Sequence, residues 1–217
     1  MYVRSSWLAL VVGALVMLAA GLASAKEPQY VGAKKCKSCH KKELMGNQYG
    51  EWEKGVHHKA FETLQSDDAK KIAAEKGISG PPHESADCLK CHVTAYGEDP
   101  ARFAKNKLLN PADGIQCESC HGPGSLYRKK KVMSDRDKAI AAGMWEPEND
   151  AKICTACHND ESPTWDPAKG FDHEARMEEI AHLIPEDVKG HYLELEKKQK
   201  AEKGRAGDDD DEDDEEE

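Results

Sequence analysis

Residues 114–124 read Gly-Ile-Gln-Cys-Glu-Ser-Cys-His-Gly-Pro-Gly, and Cys117, Cys120 and His121 within them form a Cys-x-x-Cys-His motif. The motif occurs four times and uses all eight cysteines of the chain. Its other members are Cys36, Cys39 and His40; Cys88, Cys91 and His92; and Cys154, Cys157 and His158. This motif is typical of covalent haem attachment, in which two thiols bind one haem and the histidine ligates its iron. The sequence therefore predicts four covalently bound haem c groups.

Two other uses of paired cysteines compete with this interpretation. Two Cys-x-x-Cys units can make one zinc site, and eight cysteines in a secreted chain can make four disulfides. Neither use explains why a histidine follows every pair, so haem attachment is favoured.

The N-terminus has the order of features of a secretory signal peptide. Residues 2–4 include Arg4, residues 7–22 are apolar, and Ala23-Ser24-Ala25 offers a small-x-small cleavage pattern. The alternative is an uncleaved anchor, but the apolar run is shorter than the roughly 20 residues of a spanning helix. We predict a signal peptide at residues 1–25, no membrane span after its cleavage, and a mature protein in the periplasm or outside the cell.

Composition suggests an interior that side chains alone do not fill. Removing residues 1–25 from the 217 leaves 192, yet only 38% of the whole chain is hydrophobic and 6% is aromatic. A chain with so few apolar residues builds a marginal core. We expect residues 26–200 to form one domain wrapped around its haems.

The C-terminus, residues 201–217, is predicted to be a disordered acidic tail. Its last ten residues, 208–217, are all acidic, and like charges in a row repel one another. Without these ten acids and Arg4 of the signal, the net charge of −10 falls to −1. A solubilising tail is favoured over one that docks on a basic partner or folds back onto residues 128–131.

Six histidines remain as candidate distal iron ligands. His57 and His58 lie in a segment that reads helical from about Lys41 to Lys76, and His83 precedes the second motif in a loop. His173, His182 and His191 lie in a C-terminal helical stretch that Pro185 interrupts. His57 and His182 are the two favoured as metal ligands, because imidazole is a common axial choice.

The order of these features resembles the tetrahaem cytochrome c-554 family. The resemblance runs from Gly32 to about Leu195, and residues 114–124 are its most specific stretch. The other matching segments are residues 34–41, Trp52 with His57, residues 87–93, residues 154–158 with Trp165, and Phe171-Asp172 with His182.

The resemblance implies a mostly α-helical multihaem cytochrome with little or no sheet, wrapped around four haems stacked in pairs. It implies that His57 is the distal ligand of the third haem, on His121, and that His182 serves the fourth, on His158. His191-Tyr192 also looks like the family's His-Tyr pair. The second haem, on His92, lacks a distal protein ligand in the family.

The chain departs from the family pattern at the distal ligand of the first haem. The family's histidine about ten residues after the third motif falls here at Lys131. For the first and second haems, Lys131, Met133, His58, His83, His173 and His191 stay open as ligands, as does a ligand from another subunit. Residues 128–131, Arg-Lys-Lys-Lys, are a solvated basic patch or a docking site for an acidic redox partner.

Two functions are compatible with these motifs. The first is electron transfer between redox partner proteins, and the second is an enzyme that reduces a small nitrogen oxide, such as nitric oxide or nitrite, at a five-coordinate haem. No lysine replaces the histidine of any motif, so an electron carrier is favoured and no catalytic residue is assigned. We expect no nucleic-acid partner, and an oligomer remains open.

Overall fold

A computed structural model describes residues 26–188, 194–195, 197–198 and 201. The predicted signal peptide, His191 and nearly all of the predicted acidic tail lie outside these residues. The division into signal, haem domain and tail therefore stays a prediction.

Short α-helices dominate the described part of the chain, and the longest has nine residues. No helix there is long and apolar enough to cross a membrane. The α-helices, α1 to α10 in chain order, are Lys37–His40, Gln48–Lys54, Ala60–Thr63, Asp67–Glu75, Ala86–His92, Cys117–His121, Lys130–Met133, Arg136–Ala141, Ala151–Thr155 and His173–Ile180. The 3-10 helices are Ala33–Lys35, Glu43–Met45, Pro82–Glu84, Pro100–Arg102, Ala104–Asn106 and Pro111–Asp113.

Strands are absent from the described residues, where one isolated bridge pairs Tyr30 with Phe103. Tyr30 N–H donates to the Arg102 carbonyl at 2.7 Å, and the Tyr30 and Phe103 rings lie 5.6 Å apart. The mostly α-helical class predicted from the sequence is confirmed.

Side-chain caps begin several of these short helices. The side chains of Ser66, Asp135, Asp150 and Asp172 each accept a hydrogen bond from a backbone N–H in the first turn of the following helix. Such a cap satisfies one of the N–H groups that a helix start leaves without a partner. Local sequence thus determines where α4, α8, α9 and α10 begin.

The predicted continuous helix from Lys41 to Lys76 was wrong. Gly46 has a φ of 87°, which ends the 3-10 turn before it, and Asn47 is also left-handed while capping α2. Gly55 ends α2 in an extended conformation, and α3 and α4 follow separately. Left-handed residues and glycine interrupt the helical backbone, so His57 lies in a turn rather than on a helix face.

The apolar interior is small, as the composition predicts. In the described residues only twelve hydrophobic residues are buried, and one cluster consists of Leu64, Leu89 and Val93, with Phe61 and Cys88 packed against it. Several large apolar side chains stay exposed, including Val56 at 75% and Leu183 at 76%. These two residues flank His57 and His182.

Candidate haem-binding sites

Each Cys-x-x-Cys-His motif is built on one short helix or helical turn. The second motif lies wholly in α5 and the third wholly in α6, whereas α1 follows Cys36 and ends at His40. In the fourth motif α9 ends at Thr155, before the second cysteine, but His158 N–H still donates to the Cys154 carbonyl at 3.0 Å. All eight cysteines are half-buried and unpaired. Helical spacing thus places both thiols and the histidine of a motif together.

Hydrogen bonds at Nδ1 orient several of the imidazoles. The His92 ring donates from Nδ1 to the Ala60 carbonyl at 2.6 Å, and the His182 ring donates from Nδ1 to the Ile180 carbonyl at 3.0 Å. Because a carbonyl oxygen can only accept, Nδ1 carries a proton in both rings, and Nε2 is the nitrogen that a neutral ring would offer to a metal. His40 Nδ1 lies 3.4 Å from Gln48 Oε1. Such contacts fix the ring of a metal-ligating histidine.

Two pairs of imidazoles face each other at the spacing that an iron between them requires. The ring centroids of His57 and His158 are 6.1 Å apart, and those of His121 and His182 are 6.2 Å apart. Two metal–nitrogen bonds of about 2 Å each, plus the distance from each nitrogen to its ring centre, add to about 6 Å. Both pairs therefore fit bis-histidine ligation.

Burial keeps these imidazoles in the neutral form that binds metals. It lowers the pKa of His40, His57 and His121, and partial burial lowers that of His158. A neutral imidazole retains the lone pair that ligation needs.

The four motifs meet through their cysteines. The Cys36 and Cys117 thiols share a hydrogen bond, which together with burial raises the pKa of Cys36. In the same way Cys91 contacts Cys157, whose pKa burial raises to about 12. Cys154 is close enough to Cys120 to contribute to raising its pKa, after burial, to about 11. The first motif thus adjoins the third, the second adjoins the fourth, and the third adjoins the fourth.

A buried polar joint links the third motif to the first and second. The joint consists of Thr94, Gln116, Glu118 and Ser119 with the backbone of residues 31–33. Gln116 Oε1 accepts from Ala33 N–H at 2.8 Å, and Gln116 N–H donates to Thr94 Oγ1 at 2.6 Å. The Thr94 and Ser119 hydroxyls lie 2.8 Å apart.

Two open cavities lie beside the facing imidazoles. One, of about 760 Å³, is lined by residues of α10 and by Ala181 and Leu183, on either side of His182. The other, of about 550 Å³, lies between Ser119 of the third motif and Ile153 and Ala156 near the fourth. Both volumes fall in the range of about 300–1,000 Å³ that is usual for small-molecule and cofactor sites.

Known proteins similar to this chain are found among the cytochromes. The family model for cytochrome c554 and c-prime matches residues 35–122. Cytochrome c-554 of Nitrosomonas europaea is 32% identical over 174 residues, which cover 74% of this chain and 71% of that protein. The solved reduced state of cytochrome c554 from the same organism is 25% identical, with a TM-score of 0.52, and the match covers 73% of this chain and 86% of that one.

The chain belongs to the cytochrome c554 family. It is therefore a c-type cytochrome with covalently bound haem c, whose function is electron transfer. The exposed Val56 and Leu183 fit a protein of this haem-binding family, because an apolar macrocycle beside His57 and His182 would cover them.

The histidine rings that lie together in this chain differ from the pairs that the family resemblance implies. His57 faces His158 rather than His121, and His182 faces His121 rather than His158. The Phe171 ring stacks on His158 at 5.2 Å, and the eight residues of α10 then extend about 12 Å. The helix carries His182 past the fourth motif to the third.

Two contacts hold α10 in this position. His173 donates from Nε2 to the Pro147 carbonyl at 2.8 Å, and Trp145 N–H donates to the His121 carbonyl at 2.9 Å. The start of α10 is thereby attached to the loop that contacts the third motif.

Among the described residues, the imidazole ring contacts found do not involve His40 or His92, although His182 is near enough to His40 to contribute, after burial, to lowering its pKa. The distal ligands of the first and second motifs stay open. The His58 ring packs against Trp52 at a tilted angle with ring centroids 4.4 Å apart, and its Nδ1 lies 3.3 Å from the Asp113 carbonyl. His83 Nδ1 is buried without a partner. Lys131 is exposed and Met133 half-buried on α7, and His191 lies outside the described residues.

Sequence reasoning missed the polar joint. Glu118 and Ser119 occupy the two variable positions of the third motif, where the haem pattern sets no residue type, and Gln116 and Thr94 lie just outside motifs. Burial is what distinguishes them: Gln116 and Glu118 are 2% and 1% exposed. Polar residues beside a cofactor site were a usable signal, but their partners lie more than 20 residues away.

Proposed function

We propose that this cytochrome carries four haems and transfers electrons between redox partner proteins in the periplasm or outside the cell. The observation that carries the proposal is the pair of facing imidazoles, His57 with His158 and His121 with His182. Two axial histidines leave no open position on an iron, and axial ligation decides between electron transfer and substrate activation.

The residues of this chain would attach the haems, ligate their irons and hold the four sites close together. Haem c supplies a one-electron ferric/ferrous couple when bound. Each cysteine pair would hold one haem covalently, and the histidine that follows would be its proximal ligand. The hydrogen bonds of Cys36 with Cys117 and of Cys91 with Cys157, and the proximity of Cys120 to Cys154, support an arrangement of the four sites in one continuous series.

The proposed location is supported by the signal-peptide pattern of residues 1–25, and by the fact that covalent attachment retains a cofactor outside the cytoplasm. Protease accessibility in intact cells and after release of the outer compartment tests the location.

Residues 128–131 are the proposed docking site for an acidic redox partner. All four basic side chains are exposed. The positive charge of Arg128 acts to lower the pKa of Cys36, so this patch lies near the first motif. Opposite charge on a partner accelerates encounter, and the acceleration falls as salt rises. Neutralising Lys129 and Lys131 with glutamine is expected to slow reduction by an acidic cytochrome or ferredoxin and to weaken its salt dependence.

Haem counting and EPR together test the central proposal. The mass of the mature holoprotein should exceed that of the polypeptide by four haems, and the oxidised protein should show low-spin ferric signals from the two bis-histidine sites. Fewer than four haems, or high-spin signals alone, would contradict it.

A second candidate function is reduction of a small nitrogen oxide, and it rests on the lack of a facing imidazole at His40 and His92 among the described residues. A high-spin ferric signal that changes on addition of nitric oxide would favour it. Low-spin signals alone, unmoved by nitric oxide, would exclude it.

A further inference from the structure

Glu118 is a buried carboxylate inside the third motif, with 1% of its surface exposed. Three backbone N–H groups donate to it: Gly124 to Oε1 at 2.7 Å, Gly32 to Oε2 at 2.8 Å, and Val31 to Oε1 at 2.9 Å. Gly32 and Val31 lead directly into the 3-10 turn before Cys36. The carboxylate therefore connects the third motif to the first.

The negative charge of Glu118 acts on the groups around the two motifs. It is among the causes that raise the pKa of Cys36, after the hydrogen bond with Cys117 and burial. Burial and then Glu118 raise the pKa of Tyr127, whose hydroxyl donates to the Gly122 carbonyl at 2.7 Å. Burial raises the pKa of Glu118 above its usual value, while the three backbone N–H donors and then the charge of Arg128 act to lower it. Arg128 itself is exposed.

The junction of the second and fourth motifs is charged differently. Glu161 there forms an ion pair with Lys90, and both side chains are exposed, at 63% and 47%. Water and salt screen exposed charges strongly, whereas a charge in the interior acts at a lower effective dielectric constant. A fixed interior charge is thus found at the first and third motifs.

We propose that Glu118 is a positioning residue that holds the first and third motifs together and lowers the reduction potentials of the two haems bound there. The proposal rests on the proposed function, in which both motifs carry haem. A ferric centre has one more positive charge than a ferrous one, so a nearby fixed carboxylate stabilises the oxidised state. Burial and neighbouring charge are recognised determinants of haem potential.

The variant Glu118→Gln removes the charge and keeps an oxygen that can accept from Val31 and Gly124. The experiment is a spectroelectrochemical titration of the wild-type and variant holoproteins at pH 8, with haem counted by mass spectrometry in the same samples. Two of the four midpoint potentials are expected to rise and two to stay unchanged. Haem-methyl NMR signals assign the shifted pair to the first and third motifs.

Two further variants keep the test decisive. The exposed carboxylate Glu161 is the matched control, and Glu161→Gln should leave all four potentials unchanged. Arg128→Gln removes from the surface, where folding tolerates it, a positive charge that acts on both Glu118 and Cys36. At low ionic strength, where screening is weakest, it should lower the same two potentials that Glu118→Gln raises, by a smaller amount. It replaces Glu118→Gln as the deciding variant if the latter fails to load haem.

Unchanged potentials in a fully loaded Glu118→Gln protein would overturn the inference, and so would unchanged potentials in Arg128→Gln if it is the deciding variant. A wild-type protein with fewer than four haems would instead contradict the proposed function. The two failures are therefore distinguishable.

Discussion

The junction of the first and third motifs and the junction of the second and fourth motifs are stabilised by different interactions. At the first junction, Glu118 and Gln116 are almost fully buried and bind backbone groups of residues 31–33. Beside the second motif, Leu89 and Val93 belong to an apolar cluster with Leu64, and the charged pair between the second and fourth motifs is exposed. Hydrogen bonds fix direction as well as distance, whereas apolar contacts are non-directional. We infer that the first junction is the more precisely positioned.

Removing a distal histidine gives the largest expected effect, because it changes the spin state of one haem. His182→Ala should produce a high-spin haem whose methyl NMR signals show contacts to Trp145, beside the third motif. His57→Ala should produce one whose signals show contacts to Phe171, which stacks on His158. EPR and NMR of the oxidised proteins measure this.

The control for the distal ligands is His173→Gln, which removes the imidazole but keeps a side-chain N–H that can donate to the Pro147 carbonyl, as His173 does. It should leave every spin state unchanged. Contacts to Phe171 in the His182 variant would restore the pairing that the sequence suggested.

Glu118→Ala is expected to destabilise the protein next most strongly. It leaves the N–H groups of Val31, Gly32 and Gly124 buried without their acceptor, and each buried group without a partner costs about 1–3 kcal/mol. We expect the free energy of unfolding to fall by roughly 3 kcal/mol or more, measured by urea denaturation of the holoprotein. A loss below about 1 kcal/mol would show that the carboxylate is not what connects the two motifs.

Leu89→Ala tests the apolar side of the comparison and should have a smaller effect. Leu89 is 8% exposed and packs with Leu64 and Val93. Removing a buried leucine side chain from this small cluster should cost about 2–3 kcal/mol. Leu108→Ala, at a side chain that is 61% exposed, is the control and should change stability by less than about 0.5 kcal/mol. Equal losses of unfolding free energy in Leu89→Ala and Leu108→Ala would argue against an apolar core beside the second motif.

Lys90→Ala should give the smallest effect. Its ion pair with Glu161 is exposed, and exposed pairs contribute little to stability. Urea denaturation at low and high salt should show no measurable change in the free energy of unfolding at either. A clear loss that salt abolishes would mean that the exposed pair does hold the second and fourth motifs together.

Part of the fold could be predicted from local sequence. The caps at Ser66, Asp135 and Asp172 begin helices where short-range chemistry places them. The predicted helix over residues 41–76 failed because the left-handed residues Gly46 and Asn47 interrupt a polar, broadly helix-compatible stretch. The later turn, which contains His57, is stabilised by a distant partner, because Ile115 N–H donates a hydrogen bond to the His57 carbonyl.

The sequence by itself determined the haem-attachment motifs, because the two cysteines and the histidine of each motif lie within five residues and helical geometry alone brings them together. It also nominated His57 and His182 as distal ligands. Only the tertiary structure decided which motif histidine each one lies beside, and it placed Glu118 between the first and third motifs. Those contacts join residues from 61 to 101 positions apart for the imidazoles and 86 or 87 for the carboxylate and residues 31–32. At such separations the path of the folded chain, rather than residue spacing, sets which groups meet.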